Sequence, residues 1–225
     1  MKGFAAAMSL AHAMMLAGLG TRTLFAGDPN QLPPIVQADH DELARCWIGR
    51  SPFAYMDLST SAKCFLDEQS RMAPDICKAV STVFYAGKLR VADDVTEHWF
   101  QERTPKIHEC LGSSSVSLIS IAEEGQHARR FRGYVCPESA ATAVRIAVLL
   151  LQTVGPKDVL ILTPYRAQRS EIRNQLKAAG LALNMVSTVH RAQGSERLIV
   201  VIDPVRPSAE FLKNEAGRAL TECRN

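Results

Sequence analysis

The chain has 225 residues, 47% of them hydrophobic and 22% charged, with a formal net charge of +3. That length and composition suit one large or two small folded domains and set aside a disordered or low-complexity chain. The mild positive charge permits a nucleic-acid partner without arguing for one. Six cysteines, none in a C-x-x-C pair or at zinc-ligand spacing beside a histidine, read as free thiols of a reducing, cytoplasmic setting and not as a disulfide framework or metal site.

In chain order, the apolar stretch up to Gly20 has the look of a signal peptide, but His12 interrupts it. The next segment, Thr21-Arg22-Thr23-Leu24-Phe25-Ala26, reads as a buried strand, so a core helix over Ala5–Leu19 feeding a core strand is the expectation. No other segment is long and apolar enough to cross a membrane, and no membrane partner is expected. Strand-type runs occur at Thr23–Ala26, Cys64–Leu66, Val116–Ile121, Val159–Leu162, Met185–Val189 and Leu198–Ile202. Helical patterns fill the gaps. One spans Ala73–Tyr85, with Pro74 in its first turn. Another spans Glu138–Gln152, apolar on more than one face and so expected to be well buried. A third spans Ala167–Ala179, ending at Gly180 as a C-cap. Strands alternating with helices predict an α/β fold with a parallel sheet. The polar stretches Asp93–Ser115 and Glu123–Tyr134 read as surface excursions.

Four loops at predicted strand ends carry the chemistry. Gly27-Asp28-Pro29-Asn30-Gln31-Leu32-Pro33-Pro34 reads locally either as a proline-rich turn or as a rigid arm aiming Gln31, whose amide accepts from a water and donates to a phosphate at once. Glu68-Gln69-Ser70-Arg71-Met72-Ala73-Pro74 offers Arg71 as a bidentate phosphate ligand or as a surface arginine beside a helix start. Leu162-Thr163-Pro164-Tyr165-Arg166-Ala167-Gln168 and Val186-Ser187-Thr188-Val189-His190-Arg191-Ala192-Gln193-Gly194-Ser195-Glu196 add hydroxyls, amides and a carboxylate. Among weaker candidates, His12 suits a satisfied core position and His190 a structural or coupling role. Asp67 and Glu68 should point opposite ways on extended chain and make a poor metal pair. The run Arg129, Arg130 and Arg132 suits a solvated face or a nucleic-acid contact.

In this order and spacing, the segments GDPNQLPP, EQSRM, LTPYRAQ and VSTVHRAQGSE, together with Phe84-Tyr85-Ala86-Gly87-Lys88-Leu89, resemble the motifs of superfamily 1 helicases. The branch is the one that includes the nonsense-mediated-decay helicase. The resemblance implies two RecA-like lobes of the P-loop NTPase type, with ATP and magnesium between them and single-stranded nucleic acid, DNA or RNA, across the top. It implies a remnant of the first lobe over residues 1–60 and a second lobe over 61–225. It casts Gln31 and Arg71 as catalytic, the latter as an arginine finger. Asp28, Gln193, Gly194 and Glu196 fall on the nucleotide side, and Thr163, Tyr165 and Thr188 on the nucleic-acid backbone.

The sequence also departs from that family. No G-x-x-x-x-G-K-[ST] phosphate loop occurs. Gly3 and Phe4 stand where the family's magnesium-holding Asp-Glu falls, so no metal-ligating residue is assigned. Ser70 stands where an adenine-stacking aromatic belongs, and Leu220–Arg224 only loosely echoes the C-terminal arginine motif. The expectation is the C-terminal portion of a helicase or translocase that alone binds ATP and magnesium poorly and does not hydrolyse ATP. A partner chain could supply the missing half. The alternatives are a non-catalytic nucleic-acid-binding module and a helicase-interacting protein. The incomplete first part should leave its apolar helix poorly covered.

Overall fold

The computed structural model describes residues 9–31, 42, 47–49, 51–54, 64–93, 115–131 and 133–205. Several expectations fall outside them: the first residues of the Ala5–Leu19 helix, Gly3 and Phe4, the prolines at 33 and 34, most of Asp93–Ser115, Arg132 and the Leu220–Arg224 echo. The chain divides into two compact units, residues 1–69 with 77–90, and residues 70–76 with 91–225.

In the first unit, helix α1 spans Leu10–Ala17. Ser9 caps it, its hydroxyl accepting from the His12 backbone N–H at 3.4 Å. The Ser9 hydroxyl also lies 2.6 Å from His12 Nδ1. His12 is thus satisfied as expected, but it is exposed and not a core residue, because the core-facing side of this short helix narrows to Ala13. Met14, Met15, Leu16 and Leu19 are more than half exposed, which agrees with the expected poor cover of this helix.

The expected strand over Thr23–Ala26 does not form, and Leu24 is 92% exposed. A strand exists only by pairing its N–H and C=O groups with a neighbour, and among the described residues no segment forms a ladder with it. The same holds for Cys64–Leu66 and Val116–Ile121, which lack strand structure despite their apolar residues. Pairing begins just beyond the first of these, where β1 (Glu68–Gln69) joins β2 (Arg90–Val91). Asp67 and Glu68 do not diverge as extended chain predicts. The Arg90 guanidinium spans both, with Nε 3.2 Å from Asp67 and Nη2 2.7 Å from Glu68.

Helix α2 spans Pro74–Phe84, starting on Pro74 as expected, with Asp75 in its first turn. It ends in a turn in which Ala86 and Gly87 both take positive φ, and Gly87 N–H donates to Ser81 O at 2.9 Å.

The second unit holds the main core. Strand β3 (Gln126–Ala128) pairs antiparallel with β4 (Gly133–Val135), so the polar stretch expected as a plain surface excursion contains a hairpin. Helix α3 (Pro137–Leu150) comes next, then β5 (Val159–Thr163), α4 (Arg166–Ala178), β6 (Val186–Thr188), the single turn α5 (Val189–Ala192) and β7 (Ile199–Ile202). The three parallel strands lie in the order β6-β5-β7, with Ile161 beside Val186 and Val201. This is the α/β arrangement expected of a RecA-like lobe, with the antiparallel pair β3–β4 forming a separate two-stranded sheet.

Central β5 is the most buried strand, with Val159, Leu160, Ile161 and Thr163 all inside. Ile172 and Leu176 from α4, Leu150 from α3, and Met185 complete this core. Each such aliphatic side chain contributes about 1.5–3 kcal/mol on burial. Helix α3 is apolar on more than one face, as read from the sequence, but it is buried along one of them. Ala140, Ala143, Val144, Ala147 and Leu150 face inward at helical spacing, while Val148 and Leu149 stay exposed. Helix α4 ends as expected: Gly180 has φ +70°, and Leu181 N–H reaches back to Leu176 O at 2.8 Å.

Candidate nucleotide and nucleic-acid site

In the first unit, Asp28 organises its own loop. Its Oδ1 accepts the Asn30 backbone N–H at 2.9 Å, and its Oδ2 accepts the Gln31 side-chain amide at 3.5 Å. The Tyr85 hydroxyl donates to the same Oδ2. Asn30 Nδ2 donates to Phe84 O at 3.0 Å. The loop is therefore fastened at two points to the end of α2. Burial first, then the hydrogen bond and negative charge of Asp28, push the Tyr85 hydroxyl from 10.0 up to about 12. The sequence alone does not single out Tyr85. Its signal is present in the FYAGKL segment, but no periodicity pairs residue 28 with residue 85.

In the second unit, the structure brings Arg71 and Glu196 together. Arg71 Nη2 lies 2.5 Å from Glu196 Oε1, and both side chains are exposed. The backbone of the VSTVHRAQGSE segment explains how Glu196 arrives there. Ser195 N–H donates to Ala192 O at 2.9 Å across Gln193 (φ −53°, ψ 128°) and Gly194 (φ +82°). Those are the angles of a type II turn, whose third residue needs positive φ and so favours glycine. The placement gives Gly194 a turn-forming role, and Gln193 stands beside it, exposed.

Thr163 and Thr188 are partners in register at the ends of β5 and β6. Thr163 is fully buried and its hydroxyl accepts the Tyr165 N–H at 3.5 Å. Thr188 is 7% exposed. Tyr165 packs its ring edge-to-face on Tyr134, centroids 5.6 Å apart, and Tyr134 repeats that contact with His127. Burial, then Tyr134, raise the Tyr165 hydroxyl above its ordinary value.

A buried polar hub holds these strand ends in place. Gln168, fully buried, accepts the Cys136 N–H at 2.8 Å through Oε1. Its Nε2 donates to Asp203 at 2.6 Å, Ser139 at 2.8 Å and Cys136 O at 3.0 Å. Ser139 also donates to Asp203 at 3.2 Å. One amide thus ties the start of α4 to the start of α3 and to the residue after β7. Its position in the LTPYRAQ motif is where the sequence could have revealed it. Cys136 adds a thiol N-cap on α3, 3.5 Å from Ser139 N.

The model of the AAA domain family matches residues 48–223, which take in three of the four loops and leave out Gly27–Pro34. The chain belongs to that AAA domain family, in its superfamily 1 helicase branch. It is 32% identical over 84% of its length to human "3'-5' exoribonuclease HELZ2". It is 28% identical over 88% of its length to budding-yeast (Saccharomyces cerevisiae) "Helicase SEN1". To the "Regulator of nonsense transcripts 1 homolog" of Neurospora crassa it is 25% identical over 82%. It spans 6%, 9% and 17% of the length of those three relatives.

Helicases of this family are associated with ATP and magnesium. Magnesium needs oxygen ligands. Both oxygens of Asp28 already serve its own loop and Tyr85. Among the described residues no group of three or more His, Cys, Asp or Glu side chains could hold a metal ion. The described residues do not fit a magnesium ion. No described helix is long and apolar enough to cross a membrane.

Proposed function

We propose that this chain is the second-lobe portion of an ATP-driven DNA or RNA helicase or translocase, with residues 1–60 belonging to the first lobe. In this reading Arg71 is the arginine finger and Glu196, with Gln193, faces the nucleotide. Asp28 sets the Gln31 arm, and single-stranded nucleic acid crosses the ends of β5 and β6 near Thr188 and Tyr165. The observation that carries it is the Arg71–Glu196 ion pair. Two segments 125 positions apart, each resembling a helicase motif, meet as a phosphate-seeking cation and its counter-charge.

The chain alone binds ATP and magnesium poorly and does not hydrolyse ATP, and another chain or segment supplies the phosphate loop and the magnesium carboxylates. An arginine finger is worth about 10³–10⁵ in rate only on an assembled phosphate site. Steady-state phosphate release by the chain, with and without nucleic acid, should stay at background. Release above background that Arg71→Ala abolishes would refute the inactive-alone reading.

The engaged oxygens of Asp28 favour one second reading, a nucleic-acid-binding module without catalysis. Its sign is strand binding that falls steeply with salt and stays the same when a nucleotide and a phosphate-loop-bearing lobe are added.

A further inference from the structure

Helix α4 carries Arg166, Arg169, Arg173 and Lys177 at spacings of three and four, so the four side chains share one flank. From the first to the last of them the helix rises about 16 Å. Arg191, on α5 three residues after Thr188, lies close enough to act on Arg169. Among the described residues none of these five cations has a carboxylate partner. The single carboxylate of α4, Glu171, lies on the opposite side and accepts instead from Gln175 at 2.7 Å. The Nε of Arg169 is buried and without a hydrogen-bond partner among the described residues. Burial first, then Arg191, Arg173 and Arg166, pull the Arg169 guanidinium below the usual arginine value. Unrelieved repulsion and an orphaned buried donor both cost stability in the chain by itself. A bound anion relieves the repulsion.

We propose that this basic flank of α4, with Arg191, is a binding track for the phosphodiester backbone of a single strand, leading from the end of β6 along the helix. Four of the five cations are arginines, whose planar forks match phosphate oxygens two at a time, and their even placement suits a ligand with a repeating negative charge. The track extends the proposed strand site at the ends of β5 and β6 and rests on that reading.

The test is equilibrium binding of the whole chain to a fluorescent single-stranded oligonucleotide across a salt series. Each phosphate contact on a single strand adds about 0.7 to the slope of log affinity against log salt. Two variants each remove two cations: Arg166→Ala with Arg173→Ala on the more accessible side, and Arg169→Ala with Arg191→Ala around the orphaned donor. Each should weaken binding and lower the slope by about 1.4, whereas Arg166→Lys with Arg173→Lys should keep the slope. Helical circular dichroism reports that the variants fold, and the first pair keeps the test open if the second does not.

Unchanged affinity and slope in the folded variants, with the wild-type chain still binding, would overturn the track and leave the strand site standing. No binding by the wild-type chain at any salt would overturn both. Polyglutamate displacing the oligonucleotide at equal charge concentration would assign the flank to an acidic protein partner and overturn the track.

Discussion

Arg71 and Glu196 meet at 2.5 Å although 125 positions separate them, and both remain accessible to solvent. An exposed ion pair contributes about 0–1 kcal/mol to stability, so the contact matters for where it leaves the two groups and little for the fold. A double-mutant cycle of Arg71→Ala and Glu196→Ala, read by urea unfolding, should give a coupling of no more than about 1 kcal/mol. A coupling of several kcal/mol would make the pair a structural strut and weaken its assignment to the nucleotide site.

Gly194 should be far less replaceable than its exposure suggests. A Cβ there meets nothing within 4 Å, yet φ is +82°. Gly194→Ala should cost about 1–2 kcal/mol through the left-handed backbone alone. A chemical-shift comparison should show Glu196 displaced from Arg71. An alanine variant as stable as the wild type would mean that the type II turn is not held in solution.

Gln168 should be the most sensitive polar position described. Gln168→Leu keeps the volume but strands the Cys136 N–H and takes a donor from Asp203. The expected loss is about 1–3 kcal/mol for each buried group left unsatisfied, seen as a lower urea midpoint with an unchanged slope. Equal stability would show that water enters the hub.

The Tyr85–Asp28 contact predicts a pH dependence. The folded hydroxyl titrates near 12 against an ordinary 10.0. Its contribution to stability is therefore fully present below pH 10 and is lost as pH rises through about 12. Asp28→Asn should bring the titration part of the way back toward 10, because burial, the larger cause, remains. Ultraviolet difference titration of Asp28→Asn and Tyr85→Phe checks this. An unshifted phenol in Asp28→Asn would show that the hydrogen bond is absent in solution.

Helix α1 leaves Met14, Met15 and Leu16 largely exposed, with Leu24 at 92%. Large exposed apolar side chains of this kind drive association. Light scattering should show mass rising with concentration, and Met15→Lys with Leu24→Lys should suppress it. A clean wild-type monomer at high concentration would count against the exposed face.

The residues themselves determined the helices Pro74–Phe84 and Arg166–Ala178, the parallel strands from Val159 onward, and the family. Capping residues, helical spacing and motif order are local in the chain, and local rules read them. Only the tertiary structure decided the rest. Thr23–Ala26 and Val116–Ile121 have the composition of strands, but a strand needs a partner edge that composition does not contain. Thr163 has the character of a surface hydroxyl and is fully buried, because the depth of a strand end depends on the helices packed around it. Tyr85 reaching Asp28, Gln168 reaching Asp203, and Arg71 reaching Glu196 are contacts across long loops. Such pairings are settled by the packing that closes those loops and leave no periodic mark in the sequence.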